Sequence, residues 1–141
     1  MTSVIKFYEG INSIAVLGNY LPRQCGIATF TADLVESITA EAPDIDCWTA
    51  AMNDTPEGYA YPDKVHFEIN QNKLTDYSVA SQFLNISQAD IVCLQHEYGI
   101  FGGSAGSHLL KLLGDLRMPV VTTLHTVLKD PAPEYRAVMC K

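Results

Sequence analysis

Nowhere in this 141-residue chain is there an apolar run long enough to cross a membrane as a helix, and the opening MTSVIKFYEG carries no apolar leader core. Basic residues are scarce: 9 Lys and Arg against 16 Asp and Glu give a formal net charge of -7. Without a basic field, neither a nucleic acid nor an anionic membrane surface is expected as a partner. The cysteines, Cys25, Cys47, Cys93 and Cys140, form no CxxC pair, so no zinc site and no disulfide framework is expected. GxxxxGK[ST] and GxGxxG are both missing, which removes two common phosphate-holding loops. Internal repeats and low-complexity segments are missing too. These absences lead to the expectation of a reduced, soluble, cytoplasmic protein.

What is present is a core's worth of apolar residues, 48% of the chain, in a length that suits one domain over 1–141. Apolar runs alternate with helical periodicities. SIAVLG (13–18), DIDCWTA (44–50), VHFEI (65–69), DIVCLQH (90–96) and PVVTTLH (119–125) are predicted strands, with VHFEI near a sheet edge. MNDTPEGYAYPDK, punctuated by Pro56, Gly58 and Pro62, is a predicted loop. Between the strands, Phe30, Leu34, Val35 and Ile38 share a helical spacing, as do Val79, Phe83, Leu84 and Ile86. A third set comprises Leu109, Leu112, Leu113 and Leu116, with Ser104 as its expected N-cap. The pattern predicts an α/β fold: a Rossmann-like, doubly wound parallel sheet with helices on both faces. Ile14, Val16, Val92, Leu94, Val120 and Val121 are its expected core.

In such sheets ligands bind at the carboxyl ends of the strands. Polar residues fall just there: Gly18, Asn19 and Arg23 after the first strand, Gln95, His96 and Glu97 after the fourth, His125 and Thr126 after the fifth. Gly26, Arg23, His96, Glu97 and His125 are therefore expected along one rim. Each has a plainer reading. Gly102 and Gly103 either let the chain turn into a helix or present bare N–H groups to an anion. In GNYLPRQCGIA, Gly26 opens a helix and Arg23 is placed to neutralise a phosphate. His96, Glu97 and His125 do not have the spacing of metal ligands, and no metal is expected. His66 and His108 read as hydrogen-bonded surface residues.

Three stretches, IAVLGNYLPRQCGIATFTADLVESI, DIVCLQHEYGIFGG and MPVVTTLHTVLKDP, resemble the N-terminal half of glycosyltransferase family 4 enzymes, retaining transferases of the two-domain GT-B fold. The resemblance runs from about Ser13 to about Met139. QHEYGIFGG and TLHT, in this order, are its most specific parts. Family members commonly carry a glycine pair in the first loop, whereas here Gly26 is followed by Ile27.

The resemblance implies that this domain holds the acceptor, while a second, C-terminal domain holds the nucleotide-sugar donor, with no catalytic metal and no other cofactor. It places Gly26 at the donor diphosphate, His125 at the transferred sugar, and His96 and Glu97 on the acceptor side. His125 and Glu97 are then the catalytic candidates, Gly26 and Arg23 the diphosphate contacts, and His96, Gly102 and Gly103 the substrate contacts. Preorganised donors for the departing diphosphate fit that chemistry. At PEYRAVMCK a helix is expected to be starting, with Pro131 and Pro133 ahead of it and Glu134 in its first turn. The expectation is thus a truncated acceptor-side domain, inactive without its donor domain. The alternatives are a non-catalytic Rossmann-type module binding a sugar or nucleotide, and a flavodoxin-like or receiver-like regulatory domain. Against a receiver, GNY stands where acidic residues would follow the first strand.

Overall fold

A computed structural model describes residues 10–141; Met1–Glu9, read above for a leader, lie outside the described residues. The strands are β1 (Ser13–Gly18), β2 (Asp46–Asn53), β3 (Val65–Asn70), β4 (Ile91–His96) and β5 (Val120–Leu124). They form one sheet in the order β3-β2-β1-β4-β5, and every pair is parallel. The helices are α1 (Gly26–Glu41), α2 (Leu74–Ile86), α3 (His108–Asp115) and α4 (Pro133–Met139). The fold is the expected α/β, Rossmann-like one. Among the described residues no helix is long and apolar enough to cross a membrane.

Strand alternation divides the core between the two faces. On one, Ala15, Leu17, Ala50, Met52, Val92 and Leu94 pack against Tyr77, Ala80 and Leu84 of α2 and Leu109 and Leu112 of α3. On the other, Val16, Cys47 and Ala51 meet Ala32 and Val35 of α1. Each fully buried aliphatic side chain contributes about 1.5–3 kcal/mol of transfer free energy. Burial pushes the Cys47 thiol up to about 11, so it is a protonated core residue. The foot of the sheet is tied by Asp90, whose carboxylate accepts the backbone N–H groups of Asn12 (2.7 Å) and Ser13 (3.0 Å). Those bonds hold its pKa below the usual carboxylate value.

Several expectations are corrected. Val120 and Val121 are 36% and 54% exposed, because β5 is an edge strand that no described helix covers. Met52 and Asn53 extend β2 instead of opening the loop. Phe30, Val79 and Ile86 share the helical spacing yet lie outside the core, since small residues such as Ala28, Ala32 and Ala80 make the close contacts with the sheet. Ser104 caps nothing: it starts a separate 3-10 turn, Ser104–Gly106, kinked at Ala105 (φ 52°), and α3 begins at His108. His108 has a buried Nδ1 with no hydrogen bond among the described residues, contrary to its reading as a bonded surface residue. Pro133 and Glu134 do open a helix.

Candidate functional site

The chain winds from β1 outward through β2 to β3, then returns to the middle and winds the other way through β4 to β5. The reversal lies between β1 and β4, and a doubly wound sheet places its ligand crevice at that point. The turn after β1 and the turn after β4 flank it.

The turn after β1 is built inward. Asn19 is fully buried and donates from Nδ2 to Cys25 Sγ (3.2 Å). Cys25 caps α1, its sulfur accepting the N–H of Ala28 at 3.3 Å. The Arg23 guanidinium donates to Asn19 Oδ1 (3.1 Å) and to the Met52 carbonyl (3.0 Å). It also pairs with Asp54 at 3.8 Å, with only 11% of its side chain exposed. Arg23 therefore clamps the β1 and β2 ends together, a structural role that the strand-end reading did not foresee. Gly26 differs: a methyl group there would meet nothing within 4 Å. No neighbour in the fold requires a glycine at that place.

The turn after β4 carries the polar cluster. Gln95 is 1% exposed, and its side chain meets the His125 ring with Oε1···Nε2 at 2.9 Å. An amide oxygen only accepts, so Nε2 is the donor in this contact. The first turns of α1 supply a second wall, Phe30, whose ring meets His125 edge to face at 4.8 Å. Glu97 accepts the Thr126 hydroxyl through Oε2. His125 N–H, in turn, donates to the His96 carbonyl at 3.0 Å, so the ends of β4 and β5 are locked in register.

His96 turns to the opposite face. It is 4% exposed, stacked over Phe101 and set edge to face with Tyr98 at 4.9 Å. Nδ1 has no hydrogen-bond partner among the described residues. Burial lowers its pKa, opposed by the nearby Glu97 carboxylate and reinforced by His125.

The glycine doublet belongs to packing. A methyl group on Gly102 would stand 1.9 Å from the Gln71 carbonyl oxygen, and its N–H donates to Tyr77 Oη at 2.9 Å. Tyr77 Oη donates onward to the Gln71 carbonyl (2.8 Å), and burial pushes its pKa up to about 12. The Gly102 N–H is thus engaged within the fold, as the turn reading has it. Gly103 takes φ +80°, and a methyl group there would stand 2.5 Å from Ser107 Oγ and 2.6 Å from His108 Cδ2, so the turn itself demands a glycine.

Beside this turn lies a cavity of about 500 Å³, between Glu97–Gly99 on one side and Thr126, Leu128, Asp130–Ala132 and Tyr135 on the other. The structure therefore brings Glu97 and His125 together at adjacent strand ends, with Gly26 at the head of the helix that also carries Phe30. It sets Arg23 over β2 and Gly102 inside the packing. Sequence reasoning placed Gln95 and Thr126 on this rim without pairing them to His125 and Glu97, and it missed Phe30 as a partner and Tyr98, Asp130 and Tyr135 as cavity walls. For Gln95 a signal existed: period-two alternation places residues 95 and 125 on one side of neighbouring strands. Among the described residues no cluster of three His, Cys, Asp or Glu is arranged to hold a metal. Compared with protein-family models, with curated proteins and with solved structures, the chain matches none.

Proposed function

We propose that this chain is the acceptor-side domain of a retaining glycosyltransferase, working with a donor-binding domain across the crevice above β1 and β4. One observation carries the reading: the residues of QHEYGIFGG and TLHT that the family resemblance singles out, Glu97 and His125, lie together at the carboxyl rim beside the topological reversal. The unfilled space around Gly26 supports a close approach by a diphosphate at the head of α1. Under this reading His125, held by Gln95 and Phe30, faces the transferred sugar. Glu97 faces the acceptor, and His96 backs the wall behind it. Arg23 shapes the loop and contacts no ligand. The rate gain comes from holding two substrates in one geometry, and this rim holds one of them.

The test is a chimera that joins residues 1–141 to the donor domain of a family 4 enzyme. Sugar transfer by the chimera, none by the chain alone, and a large loss of turnover in His125→Ala at unchanged folding are expected. Transfer by the 141 residues alone overturns the two-domain reading; unchanged turnover in His125→Ala removes His125 from the site. A non-catalytic binding module is the second reading, favoured by the presence of a cavity at Glu97 beside the strand ends. Ligand binding without transfer in the chimera selects it.

A further inference from the structure

We infer that the cavity beside Glu97 is a subsite for a non-anionic pyranose, and that it rejects sugars carrying phosphate or carboxylate. The inference rests on the acceptor-side reading above and adds the chemical class of the acceptor.

Its walls supply Glu97, Tyr98, Thr126, Leu128, Asp130 and Tyr135, and its lining contains no Lys, Arg or His. The volume, about 500 Å³, lies within the range of small-molecule sites. The polar groups are mostly acceptors. Glu97 accepts one hydrogen bond through Oε2, from Thr126, which leaves Oε1 open and the Thr126 oxygen with only lone pairs to offer. Asp130 is exposed and makes no hydrogen bond or ion pair among the described residues. A ligand that satisfies such a wall must bring donors, as the hydroxyl groups of a sugar or the ammonium group of an amino sugar do. A phosphate brings more acceptors and a like charge, into a chain whose net charge is already -7.

The apolar half of the lining fits the other side of a pyranose. Tyr98 and Tyr135 meet edge to face, with ring centroids 4.8 Å apart, and Leu128 lies beside them. Such a wall takes the C–H face of a sugar ring while the carboxylates take its hydroxyl groups. Behind Tyr98 stands His96, nine-tenths buried with Nδ1 unpartnered, a polar atom that no described residue uses. Nucleic acid and anionic lipid are poor occupants for the same electrostatic reason.

The experiment is amide NMR on the full 141-residue chain, titrated with methyl α-D-glucopyranoside, methyl α-D-mannopyranoside, methyl α-D-galactopyranoside, D-glucosamine, glucose 6-phosphate and glucuronate. At least one neutral or amino sugar should shift the amides of Glu97–Gly99 and of Thr126–Tyr135 at millimolar concentration. The two anions should bind at least about tenfold more weakly. The double variant Glu97→Gln, Asp130→Asn should narrow that gap, because the amides keep acceptor atoms but carry no charge. D-glucosamine separates the sources of the donors: if it alone binds, the subsite takes an amino sugar, and if the methyl glycosides also bind, hydroxyl groups suffice. Tighter binding of either anion in the unmodified chain, or no shift with any neutral or amino sugar, overturns the proposal. Neutral-sugar binding without transfer in the chimera leaves this subsite standing and removes the transferase reading. Transfer by the chimera to an anionic acceptor alone does the reverse.

Discussion

The turn after β1 and the turn after β4 each contain a charged residue and a glycine, and the fold uses them in opposite ways. After β1 the charged residue, Arg23, is bound internally and the glycine, Gly26, looks into open space. After β4 the glycine, Gly102, is wedged against the Gln71 carbonyl, and the charged residue, Glu97, keeps an open oxygen at a cavity. Residue type alone therefore does not say which member of a strand-end motif meets a ligand. Neighbouring elements decide, by what they leave unoccupied.

That contrast is sharpest at Gly102. Gly102→Ala should lose about 3 kcal/mol or more, because the closest clash is with the Gln71 backbone, which cannot give way as a flexible side chain would. Urea denaturation reads this directly, and a variant within about 1 kcal/mol of the parent would break the comparison on its packed side. Next comes Arg23→Ala, which strips two buried carbonyl-type acceptors of a charged donor and should cost about 2 kcal/mol. If Arg23 served a ligand instead, the same measurement would show almost no change.

A smaller effect is tied to pH. The His96 pKa is lowered in the folded chain, so below about 6.5 the unfolded state binds more protons, and stability falls as pH drops from there toward the native value. The slope in that window should be at most about 1.4 kcal/mol per pH unit and should vanish in His96→Phe. Asp90, whose backbone hydrogen bonds hold its pKa below the usual carboxylate value, keeps its contribution until the solution is far more acidic and does not blur the window. Smallest of all is Gly26→Ala, for which there is room. It should stabilise α1 by about 0.5 kcal/mol or less while lowering kcat/KM in the chimera. Calorimetry beside kinetics distinguishes the two readouts, and an alanine that leaves transfer untouched would remove Gly26 from the diphosphate site.

The sheet was legible because periodicity and strand-end polarity report local facts. β1, β3 and β4 lie within a residue of the runs that predicted them, and the parallel winding follows from their alternation with helices. Burial was less legible, since it depends on what lies above a strand. VVTTL reads as a core strand and lies at an edge, 42% exposed at Leu124. At the rim, the placement of Glu97 and His125 at neighbouring strand ends was legible from their position after two apolar runs. The engagement of Arg23 with the Met52 carbonyl was not legible, because it joins residues 29 positions apart through a backbone atom that no motif encodes. The Tyr98–Tyr135 wall was hidden for a similar reason: α4 comes from beyond the sheet.

The central place of β1 has a consequence in time. Its Ile14 pairs with Cys47 on one side and with Ile91 on the other, and Asp90 reaches back 78 residues to Asn12. Strands β1, β2 and β3 can thus assemble from near neighbours, whereas β4 must close a far longer loop, at an entropic cost that grows with its length and slows folding. β4 and β5 can zip together locally, but Phe30 meets His125 only after that closure. The rim formed by the ends of β1, β4 and β5 is complete only when the last long-range contact is made.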